Sequence, residues 1–200
     1  VGRFAPTPSG YLHLGNLFCS LLAWLAARSQ GGKIILRNED LDIERSRPEY
    51  ALQAQRDLET LGLFWDEGGD RAGPHGPYEQ SRRFPFYQTQ LEKLEAMGLV
   101  YPCFCSRAQL HAASAPHAGT GEPVYPGTCR TLSPEEVARR SQTRSPALRL
   151  QVPAETLSFV DGHYGLQSQF LPEACGDFIL RRSDGVFAYQ LAVVADHGDM

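Results

Sequence analysis

The sequence predicts an α/β fold: a nucleotide-binding half interrupted by an irregular, cysteine-bearing insertion. Three observations carry this. An apolar start, Val1 to Pro6, turns through a Pro/Ser/Gly segment into an apolar helical pattern. A second apolar run, Lys33 to Asn38, follows the Gly31-Gly32 stop, so that strand, helix and strand succeed one another with short connections, as in a βαβ unit. Finally, Tyr101 to Arg130 shows little periodicity yet holds three of the five cysteines.

Each element has a local reason. Val1 to Pro6 reads as a buried strand. Leu14 to Gln30 reads as a helix, with Leu14, Leu17, Phe18, Leu21, Leu22 and Leu25 as its apolar stripe. Pro48 to Leu63 is a second helix, opened by proline and closed near Gly62. Glu67 to Pro77 is rich in Gly, Pro and charge, which predicts an exposed loop. Phe84 to Met97 is a third helix, closed by Gly98. Ser133-Pro-Glu-Glu opens a helix to Ser141 with its cap and first-turn proline. Short alternating runs from Ala147 to Gln169 suggest antiparallel strands. Asp177 to Arg182 and Val186 to Ala188 read as strands about a Ser183-Asp184-Gly185 turn, and Tyr189 to Ala195 as the start of another helix. The division this implies is 1–83 for the nucleotide-binding half, 84–188 for the insertion, with a metal site at 103–129, and 189–200 for the return to the first half.

Composition narrows the class. At 200 residues and 42% hydrophobic, the chain can bury a sizeable core. No apolar run is long enough for a membrane span. No leader pattern is present, so the expectation is a cytoplasmic monomer with no membrane partner. A net charge of -4 argues against a generally basic nucleic-acid coat, though not against a local basic groove. Five cysteines, an odd number, favour metal or free thiols over a disulfide framework.

Two clusters can carry chemistry. In the first, His13, Gly15 and Asn16 stand where a helix begins, so free N–H groups and the helix dipole make an anion site suited to a nucleotide. A Pro/Gly turn that merely caps a helix explains Pro6, Pro8 and Gly10, but not the joint placement of Arg3, His13 and Asn16. Arg3 on the first strand and Glu39 just past the second offer a cation and an anion at neighbouring strand ends. Such a pair suits a zwitterion or a plain inter-strand salt bridge equally. In the second cluster, Cys103-Phe-Cys105 and Cys129 match a looped zinc site that needs a fourth ligand. Tyr125, His111 and His117 are the candidates, and on chemistry alone a histidine is preferred; unmetallated thiols are the alternative. Cys19 and Cys175 read as packing residues. Asp196 and His197 are weak as an acid/base pair.

The segment Arg3-Phe-Ala-Pro-Thr-Pro-Ser-Gly10, followed by His13-Leu-Gly-Asn16, resembles the opening of class I glutamyl-type aminoacyl-tRNA synthetases. Leu36-Arg-Asn-Glu-Asp-Leu-Asp42 resembles their second-strand motif, and Gly176 to Gly185 running on to Ala192 is similar to their return into the catalytic core. The resemblance implies a Rossmann-like catalytic fold with a zinc-containing insertion. It implies ATP binding by His13, Gly15 and Asn16, with His13 and Asn16 as the catalytic pair, and Mg²⁺ accompanying ATP as substrate. It further implies that Arg3 grips the glutamate side-chain carboxylate, Ala5 and Thr7 line the pocket, Glu39 takes the α-ammonium and Tyr189 adds a hydroxyl contact. Cys-x-Cys followed by Tyr-x-x-x-Cys resembles the short glutamyl-Q tRNA(Asp) synthetase branch, which makes Tyr125 the fourth zinc ligand. Val193 stands where full-length glutamyl-tRNA synthetases carry Asn. The expected partners are therefore L-glutamate, ATP and a queuosine-bearing tRNA(Asp). The alternatives are the catalytic part of an ordinary glutamyl-tRNA synthetase, or a non-catalytic zinc-stapled tRNA-binding module. The family's second ATP motif, with its lysine, and a further glutamate-binding arginine are expected beyond Met200, as in a piece of a longer protein. Where the family has Val-Asp-Asp, this chain reads Ala195-Asp196-His197.

Overall fold

A computed structural model describes residues 1–106, 109 and 124–200. The described chain forms two compact units, Val1–Gln88 with Ala192–Met200, and Thr89–Leu191.

The first unit is a parallel sheet with helices between its strands. β1 (Gly2–Phe4) pairs with β2 (Ile34–Leu36), and β2 with β3 (Glu67–Gly68), all parallel, in the order β1-β2-β3. α1 (Leu14–Arg28) joins the first two strands and α2 (Pro48–Thr60) the next two. The core is Phe4, Ile34, Leu36, Leu58, Leu63 and Trp65, with Leu12, Leu17, Trp24 and Ala27 packed on it. β2 is buried throughout because it has a strand on either side, and its unbroken Ile-Ile-Leu run is what that position requires.

Three expectations change here. β1 is an edge strand, and of its residues only Phe4 is buried. The apolar stripe of α1 does not face the core: Leu14 and Phe18 are 82% and 57% exposed, and Leu21, Leu22 and Leu25 are exposed as well. The helix has apolar residues on more than one face, and the sheet covers only the face of Leu17, Trp24 and Ala27. Glu67–Gly68, read as the start of an exposed loop, is instead the buried third strand. Gly68 has φ +85°, and a Cβ there would stand 1.9 Å from the Leu36 carbonyl, so the close approach of β3 to β2 requires glycine. Glu67 is held by His75 Nδ1 at 2.7 Å and by the Tyr78 hydroxyl at 3.0 Å. The hydrogen bond from His75 is the main cause holding its carboxyl below the usual range, against burial.

α3 (Phe84–Ala96) leads into the second unit, an antiparallel sheet of β4 (Val100–Cys103), β5 (Ala147–Leu150) and β8 (Ile179–Arg181) in the order β4-β5-β8. α4 (Pro134–Ser141) starts at Ser133, whose hydroxyl accepts from the Glu136 N–H. β6 (Thr156–Asp161) and β7 (Gly165–Phe170) form a separate antiparallel hairpin, followed by the short α5 (Leu171–Ala174). Val186 to Ala188 is not a strand: beyond β8 the turn leaves an isolated Arg181–Phe187 bridge. α6 (Tyr189–Asp199) runs further than expected.

Asp177 is buried and organises this unit. It accepts from Tyr101 Oη at 2.5 Å, from the Val152 N–H at 2.9 Å and from Arg130 Nε at 2.9 Å. Burial alone raises its carboxyl pKa, but these bonds outweigh it and hold the group ionised. No helix among the described residues is long and apolar enough to cross a membrane.

Candidate functional site

Two sites emerge, one in each unit. In the first, β1 runs through Ala5 to Pro8 into the start of α1. His13 is the N-cap: its Nδ1 accepts from the Gly15 N–H at 3.1 Å, while Asn16 Oδ1 accepts from the His13 N–H at 3.0 Å. This reciprocal capping box accounts for both side chains without any ligand, so the capping alternative reaches further than the sequence suggested. It also fixes the imidazole. With Nδ1 accepting, the neutral ring carries its proton on Nε2, the nitrogen able to donate to a phosphate oxygen. A Cβ on Gly15 would lie 3.0 Å from the imidazole. We therefore expect Gly15→Ala to push the ring out of the cap and cost about 1 kcal/mol, read as a lower Tm of the first unit.

Arg3, Ala5 and Asn16 line one cavity of about 230 Å³, together with Leu12, Cys19 and Leu58. Cys19 is thus exposed beside the candidate site, and Cys175 is exposed too; neither is a packing residue. The helix stripe that suggested burial for Cys19 belongs to the uncovered side of α1.

Glu39 is placed by Pro6, whose carbonyl accepts its N–H at 2.9 Å, and by Arg37, whose Nη2 stands 2.6 Å from its carboxylate. Arg37 is fully buried at the end of β2 and also lies 3.4 Å from Asp196. Partial desolvation, and after it the Arg3 and Arg37 charges, hold the His197 imidazole below its usual range. Tyr189 opens α6 in the second unit and is 59% exposed. Thr7 is exposed, and Thr7, His13, Gly15 and Glu39 are not among the residues lining the 230 Å³ cavity.

Sequence reasoning missed Arg37 and understated Asp196. Asp196 is fully buried and accepts from Gln80 Nε2 and Arg83 Nε, each at 2.8 Å, and from Tyr87 Oη at 3.0 Å. It is a structural hub, not half of an acid/base pair. The available signal was a charge, Arg37, directly continuing an apolar strand.

In the second unit, the sulfurs of Cys103, Cys105 and Cys129 all lie within 4.8 Å of one another. Tyr125 Oη stands 3.4 Å from Cys103 Sγ and 3.7 Å from Cys105 Sγ, and Cys105 Sγ is 3.7 Å from Cys129 Sγ. A tetrahedral zinc with bonds of about 2.3 Å to sulfur and about 2.0 Å to oxygen spaces its sulfurs ~3.8 Å apart, and sulfur from oxygen ~3.5 Å. The side chains fit that ion. Arg149 lies over the Tyr125 ring at 3.8 Å, placing positive charge beside an anionic ligand set. His111 and His117, the other candidates for fourth ligand, lie outside the described residues.

Residues 1–200 match the family model "tRNA synthetases class I (E and Q), catalytic domain". The chain belongs to that family. The class I synthetase match extends over the described architecture, so the fold is the Rossmann-like α/β catalytic fold with an insertion. A glutamyl-Q tRNA(Asp) synthetase of Symbiobacterium thermophilum is 59% identical over 98% of this chain and 61% of its own length. One from Nitratidesulfovibrio vulgaris is 55% identical with the same coverages. The crystal structure of a glutamate tRNA ligase from Elizabethkingia meningosepticum, in complex with its amino acid, superposes with a TM-score of 0.83 at 29% identity, covering 99% of this chain and 41% of that one. The chain thus spans about three fifths of the length of the two curated relatives.

Proposed function

We propose that this chain is the catalytic portion of an ATP-dependent ligase. In this reading it activates L-glutamate and passes it to the queuosine base in the anticodon of a tRNA(Asp). The observation that carries this is the arrangement at the sheet ends: Arg3 and Asn16 line one cavity, and Glu39 is held by Arg37 on the adjacent strand. The names of the relatives at 59% and 55% identity favour queuosine as acceptor over the tRNA 3′ end.

The Arg3 fork takes the γ-carboxylate of glutamate and Glu39 takes the α-ammonium, which turns the α-carboxylate toward ATP. Ala5 lines the amino-acid pocket. His13 Nε2–H, Asn16 and the N-terminal amides of α1 hold the phosphates, with Gly15 leaving room for them; Mg²⁺ accompanies ATP. The α-carboxylate oxygen attacks the α-phosphorus, the bond to the bridging oxygen breaks, and pyrophosphate leaves. The product is glutamyl-adenylate. A hydroxyl of the queuosine cyclopentenediol then attacks the adenylate carbonyl, loses its proton and releases AMP. The chain's contribution is positioning and charge stabilisation. Zinc held by Cys103, Cys105, Tyr125 and Cys129 would be structural, tying the insertion together.

The test is incubation of the native full-length protein with ATP, labelled glutamate and tRNA(Asp) with or without queuosine. Label on the queuosine-bearing tRNA alone is expected, and label on the 3′ adenosine would overturn the reading. Arg3→Ala should lower kcat/KM for glutamate in pyrophosphate exchange roughly a hundredfold, about 3 kcal/mol, with KM for ATP nearly constant.

A further inference from the structure

The second unit buries a charge for which the protein's own carboxylates supply no partner. Arg149 lies on β5, between β4 and β8, and is 5% exposed. It pairs with Tyr101 of β4, so Cys103, two residues further along β4, shares its face of the sheet. Its Nη1 donates to the Asp177 carbonyl at 2.5 Å, and its guanidinium carbon stands 3.8 Å from the centre of the Tyr125 ring. No carboxylate oxygen among the described residues lies within 4.0 Å of its side-chain nitrogens. The neighbouring cations differ: Arg130 pairs with Asp177, and Arg140 with Glu136. The Asp177 carboxylate is committed to Tyr101, Val152 and Arg130. A guanidinium taken out of water without an opposite charge is costly to bury.

The ligand set beside it has the opposite imbalance. Three thiolates outweigh the double charge of zinc, and an anionic oxygen in the fourth place adds to the excess. With Tyr125 the loaded site carries roughly two negative charges in excess, whereas a neutral histidine in that place would leave roughly one. Tyr125 Oη also accepts the Cys129 N–H at 2.9 Å, a second positive group aimed at the oxygen. The unbalanced cation and the surplus of negative charge meet at the face of the Tyr125 ring.

We propose that Arg149 is the counter-charge of this site and a positioning residue for its fourth ligand. It holds the Tyr125 ring by its face and offsets the extra negative charge that tyrosine brings, so tyrosine can stand where histidine is the commoner choice. In return, the loaded site balances the buried guanidinium, which ties zinc occupancy to the pairing of β4 with β5. This rests on zinc being held by Cys103, Cys105, Tyr125 and Cys129.

The test measures the zinc affinity of the native full-length protein by competition with a chromophoric chelator. Arg149→Met, which keeps the bulk and removes the charge, should weaken zinc binding about tenfold or more, while Arg149→Lys should hold it within about threefold. A double-mutant cycle with Tyr125→His separates charge balance from support of the fold. With a neutral fourth ligand, the loss from Arg149→Met should shrink to about threefold or less. If the unaltered protein binds no zinc, the metal reading falls and this proposal with it. If it binds zinc but Arg149→Met leaves the affinity unchanged, or weakens it equally with tyrosine and with histidine as ligand, the proposal alone is overturned. Should Arg149→Met fail to fold, Arg149→Lys decides: affinity within about threefold supports the proposal, and a loss of about tenfold overturns it.

Discussion

Asp196→Ala is expected to cost about 3–5 kcal/mol, a large share of the ~5–15 kcal/mol that holds a typical domain folded. The carboxylate is fully buried between Arg83, 2.8 Å away, and Arg37, 3.4 Å away, and also takes Gln80 and Tyr87 as donors. Burial, and next the Asp196 charge, push the Tyr87 hydroxyl far above its ordinary pKa, so it stays protonated and serves as a donor. Deleting the acceptor leaves Arg37 with Glu39 and Arg83 with Asp199 as their remaining carboxylates, removes the buried charge between the two guanidinium groups, and strips Gln80 and Tyr87 of their acceptor. The damage should spread to Glu39, because Arg37 bridges Asp196 and Glu39. Asp199→Ala is the control: its carboxylate reaches Arg83 Nη2 at 2.5 Å but is 42% exposed, so its loss should cost under about 1 kcal/mol. Urea unfolding of the two variants checks this. Similar losses for both would mean the network is not the anchor described.

The second large effect concerns the insertion. Metal analysis should find one zinc per chain, and a strong chelator should unfold the second unit while the first keeps its thermal transition. Structural zinc in small sites supplies roughly 10 kcal/mol or more of apparent folding free energy, and here the ion would tie β4 to the Tyr125–Cys129 segment. In the metal-free protein, burial and then neighbouring sulfurs push the Cys105 thiol up to about 11, though its bond from Tyr125 works the other way. Zinc must therefore displace a proton there at neutral pH, so affinity should climb as pH rises and fail on acidification. Cys129→Ser should abolish stoichiometric zinc. Tyr125→Phe keeps the ring under Arg149 but removes the oxygen; it should weaken zinc binding at least tenfold while leaving the metal-loaded fold intact. Unchanged affinity in Tyr125→Phe would remove Tyr125 from the ligand set.

What could be read along the chain was mostly local. The cap at Ser133, the proline starts of α2 and α4, and the glycine stops after α1, α2 and α3 depend on residues within one turn of each other, whereas the capping box of His13 and Asn16 was not read as one. The family motifs were legible for the same reason, since each is a contiguous string. Burial was less legible. α1 carries apolar residues on several faces, and nothing in its own sequence says which of them a sheet will cover. β3 was missed because a two-residue strand has no period, and its position follows from Gly68 fitting against Leu36.

The sequence by itself determined the alternation of strands and helices, the family, and the Cys-x-Cys spacing, because these are encoded in short-range order. Only the tertiary structure decided that Tyr125 Oη joins three sulfurs and that Asp196 anchors Arg37 and Arg83. Those groups lie far apart in sequence, and the energy of a buried charge or an unpaired oxygen depends on what surrounds it in space, which no local pattern records.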